Sequence, residues 1–233
     1  MSNGLKVKKR DGRVQNIDLE KMHIMVDAAC QGLAGVSASQ VEIQSGIQFY
    51  DGITTAEIQE ILIRSASDLI DEEHPNYQFV AARLLLFGLR KQLFGLTWDH
   101  PTFYAQITRC VEEGVYDPEV LNNYTEEELN TIGEWIDHDR DLLFTYAGLR
   151  QVVDKYLVQD RSTGEVYETP QFMYMMIATT IFARYPKEFR LSYIKKYYNA
   201  ISKHKINIPT PIMGGVRTPL RQFASCVLVD IDD

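Results

Sequence analysis

Cysteine is scarce in this chain. Only Cys30, Cys110 and Cys226 occur in 233 residues, far apart and with no CxxC pair. That excludes a disulfide framework and a cysteine-rich zinc ribbon. No apolar run is long enough for a membrane helix, and the first residues are polar and charged with no apolar signal core, so a cytoplasmic protein is expected. Positive charge is in deficit: 24 Lys and Arg against 32 Asp and Glu leave a net charge of -8. A balance of that sign argues against general nucleic-acid or membrane-surface binding. Internal repeats, low-complexity tracts and flexible linkers are missing as well. What remains, 45% hydrophobic and 11% aromatic residues, is enough for a real core in one large or two small domains.

The few basic residues are unevenly placed. Lys6, Lys8, Lys9, Arg10 and Arg13 crowd into the first thirteen positions. Short alternating runs around Arg10-Asp11-Gly12-Arg13 predict a β-hairpin. Asp18 is then placed to cap a helix through Leu19, Met22, Val26, Ala29 and Cys30, with Gly32 near its end. Ser39 with Glu42, and Thr54 with Glu57, form capping-box patterns before two further helices. Pro75 opens a fourth, ending at Gly95, whose residues Phe79 to Leu89 are apolar on most sides; such a helix sits at the centre of a bundle. From His100 to Lys203 the pattern stays helical, with Thr125 and Glu128 as another cap and helices predicted over 172–182 and 191–201. A short hairpin over 156–167 interrupts them. The final stretch, rich in Pro, Gly and Thr before the apolar run Phe223 to Val229, reads as a loop feeding a buried strand. Domains are expected at 1–95, 96–221 and 222–233.

On pattern, two places have the residue types for chemistry, although at each the plainer structural reading leads. Lys8, Lys9 and Arg10 on the hairpin, Lys21 one turn into the first helix, Thr55 at a helix start and Arg90-Lys91 late in the fourth helix together suit an anion, against the plainer reading of a solvated surface. Cys226 on a strand is a redox or nucleophile position, against an inert buried thiol. Asp137, His138 and Asp141 have metal-ligand character, but a hydrogen-bonded structural histidine is favoured. Cys30 and Cys110 read as packing residues.

Val7-Lys-Lys-Arg-Asp-Gly, Ile17-Asp-Leu-Glu-Lys21, Tyr50-Asp-Gly-Ile-Thr-Thr55 and Tyr77-Gln-Phe-Val-Ala-Ala-Arg resemble an ATP-cone domain. With Ile136-Asp-His-Asp-Arg-Asp, Lys155-Tyr-Leu-Val, Thr169-Pro-Gln-Phe, Pro209-Thr-Pro-Ile-Met and Arg221-Gln-Phe-Ala-Ser-Cys-Val-Leu, the whole chain resembles the N-terminal third of class I ribonucleotide reductase large subunits. The resemblance implies a mainly α fold: a cone of β-hairpin plus four-helix bundle, a helical domain with a short hairpin, and the first strand of an incomplete ten-stranded α/β barrel. It implies ATP contacts at Lys9, at Gln15, Asn16, Ile17, Asp18, Leu19, Glu20 and Lys21, and at Thr55 and Lys91. Thr210 and Ser225 match substrate-diphosphate contacts, Cys226 one of two cysteines that reduce the ribose and end as a disulfide, and Asp233 the start of the specificity-effector loop.

Departures stand beside these matches. The family usually has an acidic residue at Gln15 and an amide at Asp18, and well-regulated members have histidines at Gln59 and Gly88. Those changes predict a cone that binds ATP yet fails to shut the enzyme down with dATP. The implied activity is reduction of ribonucleoside diphosphates by radical chemistry, with no metal in this chain. The implied partners are a complementary polypeptide carrying the rest of the barrel, a small subunit holding a diiron or dimanganese radical cofactor, and thioredoxin or glutaredoxin. A fragment or a split-gene half, inactive by itself, is the expected state. The alternative is a stand-alone ATP-cone regulatory or assembly module without catalysis.

Overall fold

A computed structural model describes residues 5–229 of the chain. The element order is β1 (Lys6–Lys8), β2 (Val14–Asn16), α1 (Leu19–Cys30), α2 (Ala38–Gly46), β3 (Ile53–Thr54), α3 (Thr55–Asp68) and α4 (Tyr77–Phe94). Then follow α5 (Phe103–Glu112), α6 (Glu119–Asn123), α7 (Glu126–Gly133), a 3₁₀ turn (His138–Leu143), α8 (Tyr146–Gln151), a π turn (Val152–Tyr156), α9 (Pro170–Ile181), α10 (Lys187–Ser202) and α11 (Thr210–Gly215). The chain divides into two compact units. The first runs through Gln92 and takes in Leu142–Arg150; the second comprises Leu93–Asp141 and the chain from Gln151 on.

In the first unit β1 pairs antiparallel with β2, Val7 opposite Gln15, and parallel with β3, Val7 opposite Ile53. Val7 and Ile53 are the buried members of this small sheet. Gly12 adopts φ +82°, the left-handed conformation the Asp-Gly turn requires. Asp18 accepts the Lys21 N–H at 3.1 Å and so caps α1. Thr54 and Glu57 form a complete capping box on α3. The α2 expectation is corrected: its N-cap is Ser37, without a side-chain bond, and Ser39 lies inside the helix. Helix α4 is central, burying Tyr77, Val80 to Ala82, Leu84 to Phe87 and Leu89.

In the second unit α9 takes the central place. Every residue from Pro170 to Thr179 is buried, the signature of a helix enclosed on all sides. Phe172 stacks on Phe103 (centroids 6.2 Å apart) and meets Phe94 edge-on at 6.0 Å; truncating such a ring costs about 3–5 kcal/mol. Thr125 and Glu128 cap α7 reciprocally. The predicted hairpin is a single antiparallel bridge, Gln159 with Val166, flanked by Asp160 N–H to the Glu165 carbonyl (2.8 Å) and Tyr167 N–H to the Val158 carbonyl (3.0 Å). Its first residue, Tyr156, belongs instead to the π turn.

The strand expected from residue 222 is not formed among the described residues. Phe223 to Val229 pair with no neighbouring strand and are exposed, Leu228 fully so. A strand needs a ladder partner for its N–H and C=O groups, and the described sheet lies wholly in the first unit.

Candidate functional site

The turn after β1, the start of α1, the start of α3 and the end of α4 carry the residues matched to nucleotide binding. Lys9 sits in the hairpin turn, its N–H donating to the Arg13 carbonyl at 2.8 Å. Gln15 and Asn16 lie on β2, and Ile17 donates its N–H to the Leu5 carbonyl at 2.8 Å. Asp18 is the α1 cap; Leu19, Glu20 and Lys21 form its first turn. Thr55 is the first residue of α3, and Lys91 lies in the last turn of α4.

Electrostatics shows which of these converge. Crowding against protein lowers the pKa of the Lys91 ammonium first; the positive charges of Lys9, Arg10 and Lys21 lower it further. Four cations on three separate elements thus share one field. Asp18 offsets part of it: its carboxylate lies 3.2 Å from Lys21 Nζ, and its pKa is lowered by the Lys21 backbone N–H, the Lys21 side chain and, more weakly, Lys9. The first-turn N–H groups of α1 add their own partial positive charge. A polyanion relieves the repulsion among these cations. Arg90 departs from expectation: it is buried at 3% exposure and does not face solvent with Lys91.

Gln59 and Gly88 face each other across α3 and α4. The Gln59 amide donates to the Leu84 carbonyl at 2.7 Å, and a Cβ at residue 88 would lie 3.0 Å from Gln59 Cγ. Gln59 fills the space that any side chain at 88 would need.

In the second unit Thr210 begins α11, exposed, with its hydroxyl 3.3 Å from the Tyr156 phenol. Ser225 and Cys226 lie in the exposed segment after Arg221, with Ser225 Oγ 3.8 Å from Cys226 Sγ. Burial separates the other two thiols from any such role: it pushes Cys30 up to about 11 and Cys110 up to about 12. His138 stacks on His100, their rings 3.7 Å apart and 5° from parallel, while Asp141 accepts from Gln171 at 2.9 Å. No group of three His, Cys, Asp or Glu suited to a metal occurs among the described residues. Asp233 lies outside the described residues.

Sequence reasoning missed the polar centre of the second unit. Arg217 and Glu168, both fully buried, form an ion pair; Arg217 Nε reaches both Glu168 oxygens at 3.0 Å. Glu168 also accepts from the Tyr116 hydroxyl and from Val158 N–H at 2.7 Å. Burial, then the Glu168 charge, holds the Tyr116 phenol far above its usual range, so it stays a donor. Partners 49 residues apart leave no local pattern; the only hint was a Glu-Thr-Pro step directly before an apolar helix.

Comparison with known families finds two matched stretches. The family described as "ATP cone domain" matches residues 5–92, and "Ribonucleotide reductase, all-alpha domain" matches residues 142–221. The chain therefore combines an ATP cone with the reductase all-alpha domain. Along its full length it is 51% identical to the ribonucleoside-diphosphate reductase 1 subunit alpha of Escherichia coli and, equally, of Salmonella typhimurium. Over 98% of its length it is 42% identical to the alpha subunit of Enterobacteria phage T4. It spans about 30% of each of those relatives and matches their N-terminal region.

Proposed function

We propose that this chain forms the nucleotide-sensing cone (1–95), the helical domain (96–221) and the entry to the catalytic barrel (222–233) of a ribonucleoside-diphosphate reductase large subunit. The observation that carries the cone's role is the gathering of Lys9, Arg10, Lys21 and Lys91 in one field beside the capped start of α1. ATP is the effector, with Lys9, Gln15, Asn16, Ile17, Asp18, Leu19, Glu20, Lys21, Thr55 and Lys91 as its contacts. Thr210 and Ser225 hold the ribonucleoside diphosphate, Cys226 supplies one of the two reducing thiols, and Asp233 opens the specificity-effector loop.

The reaction replaces the ribose 2′-hydroxyl, which leaves as water, with hydrogen, while two thiols give up two electrons and two protons and become a disulfide. The second thiol and the rest of the barrel come from further large-subunit polypeptide. The radical comes from a small subunit with a diiron or dimanganese cofactor, and re-reduction from thioredoxin or glutaredoxin, in the cytoplasm. Calorimetric titration tests the cone: ATP binds the chain, and Lys91→Ala weakens it about tenfold, the value of one charge-assisted hydrogen bond. Mixing the chain with polypeptide carrying the remaining barrel and with the small subunit tests the rest. Deoxyribonucleotide appears only when all three are present; its absence from the complete mixture refutes the catalytic reading.

A further inference from the structure

Beside Thr210 lie two groups that have no role so far. Tyr156 ends the π turn Val152–Tyr156, which Leu157 closes by donating its N–H to the Val152 carbonyl at 3.0 Å. Such turns are rare and occur frequently at functional sites. Here the turn sets the Tyr156 phenol 3.3 Å from the Thr210 hydroxyl and places Lys155 Nζ over the Tyr156 ring, 5.4 Å from its centroid.

The arrangement is fixed from beneath. Arg217, fully buried, donates through Nη2 to the Tyr156 carbonyl at 2.8 Å and through Nη1 to the Met213 carbonyl of α11. One guanidinium, held by Glu168, thus spaces the turn bearing Tyr156 from the helix bearing Thr210. The local field favours negative charge. Hydrogen bonding to Thr210, followed by the nearby Lys155, lowers the pKa of the Tyr156 phenol against the opposing effect of burial.

We propose that Thr210, Tyr156 and Lys155 form one anion cradle that takes a phosphate group of the ribonucleoside diphosphate. This rests on the reductase reading above, and it assigns Lys155 and Tyr156 as substrate-binding residues. At 3.3 Å the two hydroxyls make a long, weak bond to each other. Little is lost when both turn to donate to a phosphate oxygen, and the Lys155 ammonium adds charge from over the ring face. The buried Arg217–Glu168 pair touches no ligand; it is the positioning element.

Inorganic pyrophosphate, titrated into the chain, is the direct probe, read at the aromatic resonance of Tyr156. That resonance is assigned by its disappearance in Tyr156→Phe. A saturable shift is expected, with a midpoint raised about tenfold in Lys155→Ala and unchanged in Lys91→Ala, which perturbs the cone instead. Lys155→Gln repeats the arm should the alanine variant fold poorly. A Tyr156 resonance that pyrophosphate does not move, or equal midpoints in wild type and both Lys155 variants, overturns the cradle. In the assembled enzyme Tyr156→Phe raises KM for the diphosphate with kcat nearly kept. If the wild-type mixture makes no product, the reductase reading falls while the pyrophosphate shift still decides the cradle.

Discussion

Removing the charge of Glu168 while keeping its shape is the sharpest perturbation this fold offers. Glu168→Gln leaves a fully buried guanidinium without its counter-charge. Breaking a buried pair from one side costs about 3–5 kcal/mol, because the remaining ion stays desolvated. The cost falls in the second unit, where Glu168 also ties together Tyr116 and Val158, and Arg217 ties Tyr156 to α11. For a unit of this size the expected loss is a fall in Tm of roughly 10 °C or more. Both tryptophans, Trp98 and Trp135, lie in that unit, so urea unfolding followed by tryptophan fluorescence reads the right part of the chain. The double variant Glu168→Gln/Arg217→Met removes both charges and must lose less than Glu168→Gln by itself. A single-variant cost below about 1 kcal/mol, the range of an exposed pair, would refute the argument.

Three further outcomes follow from the site. In the assembled enzyme Cys226→Ser abolishes sustained reduction while ATP binding to the cone persists, since a hydroxyl of similar size cannot form the disulfide; multiple turnovers with an external dithiol would make Cys226 a bystander. High dATP leaves that enzyme active, because inhibition needs differential contacts between two states and Gln59 with Gly88 withdraws two imidazoles; a steep activity loss with the specificity site saturated would contradict this. His23 titrates above its ordinary value near 6.5, chiefly through its hydrogen bond to Glu42 at 2.8 Å. Its folded pKa is raised, so its stabilisation is complete below about 6.5 and disappears as pH climbs through the raised value; proton NMR should show Glu42→Gln bringing it back down.

What was legible in the sequence was local. Asp-Gly at 11–12, the Asp18 cap and the Thr54/Glu57 and Thr125/Glu128 boxes are encoded within four residues each, and each forms as expected. Ser39 with Glu42 had the same spacing and failed, because α2 already begins at Ala38 and places Ser39 within its first turn. The apolar run of α4 identified it as central because burial on every side leaves a pattern that no amphipathic helix has; α9, expected only as a helix over 172–182, proved equally enclosed. Neither signal reaches across the chain. Whether Arg90 points outward depends on what packs against α4, and the pattern of that helix by itself could not tell Arg90 from Lys91.

The polar features most relevant to function are the least local. A π turn differs from an α turn by one residue of hydrogen-bond register, and Val152–Tyr156 carries no Gly or Pro to announce it. Its position next to Thr210 exists only because Arg217 joins the carbonyls of residues 156 and 213, and Arg217 is tolerable inside only because Glu168 lies there too. Arg217 is 61 residues from Tyr156 and 49 from Glu168; only its bond back to the Met213 carbonyl of α11 is local. The terminal segment makes the complementary point: Phe223 to Val229 has the composition of a buried strand, yet it forms none among the described residues. Composition specifies that such a segment is suited to a sheet, but the hydrogen bonds that make it a strand belong equally to its neighbours. A sheet edge supplied by further polypeptide should therefore convert it, and amide exchange at Val227, Leu228 and Val229 should slow sharply once such a partner is bound.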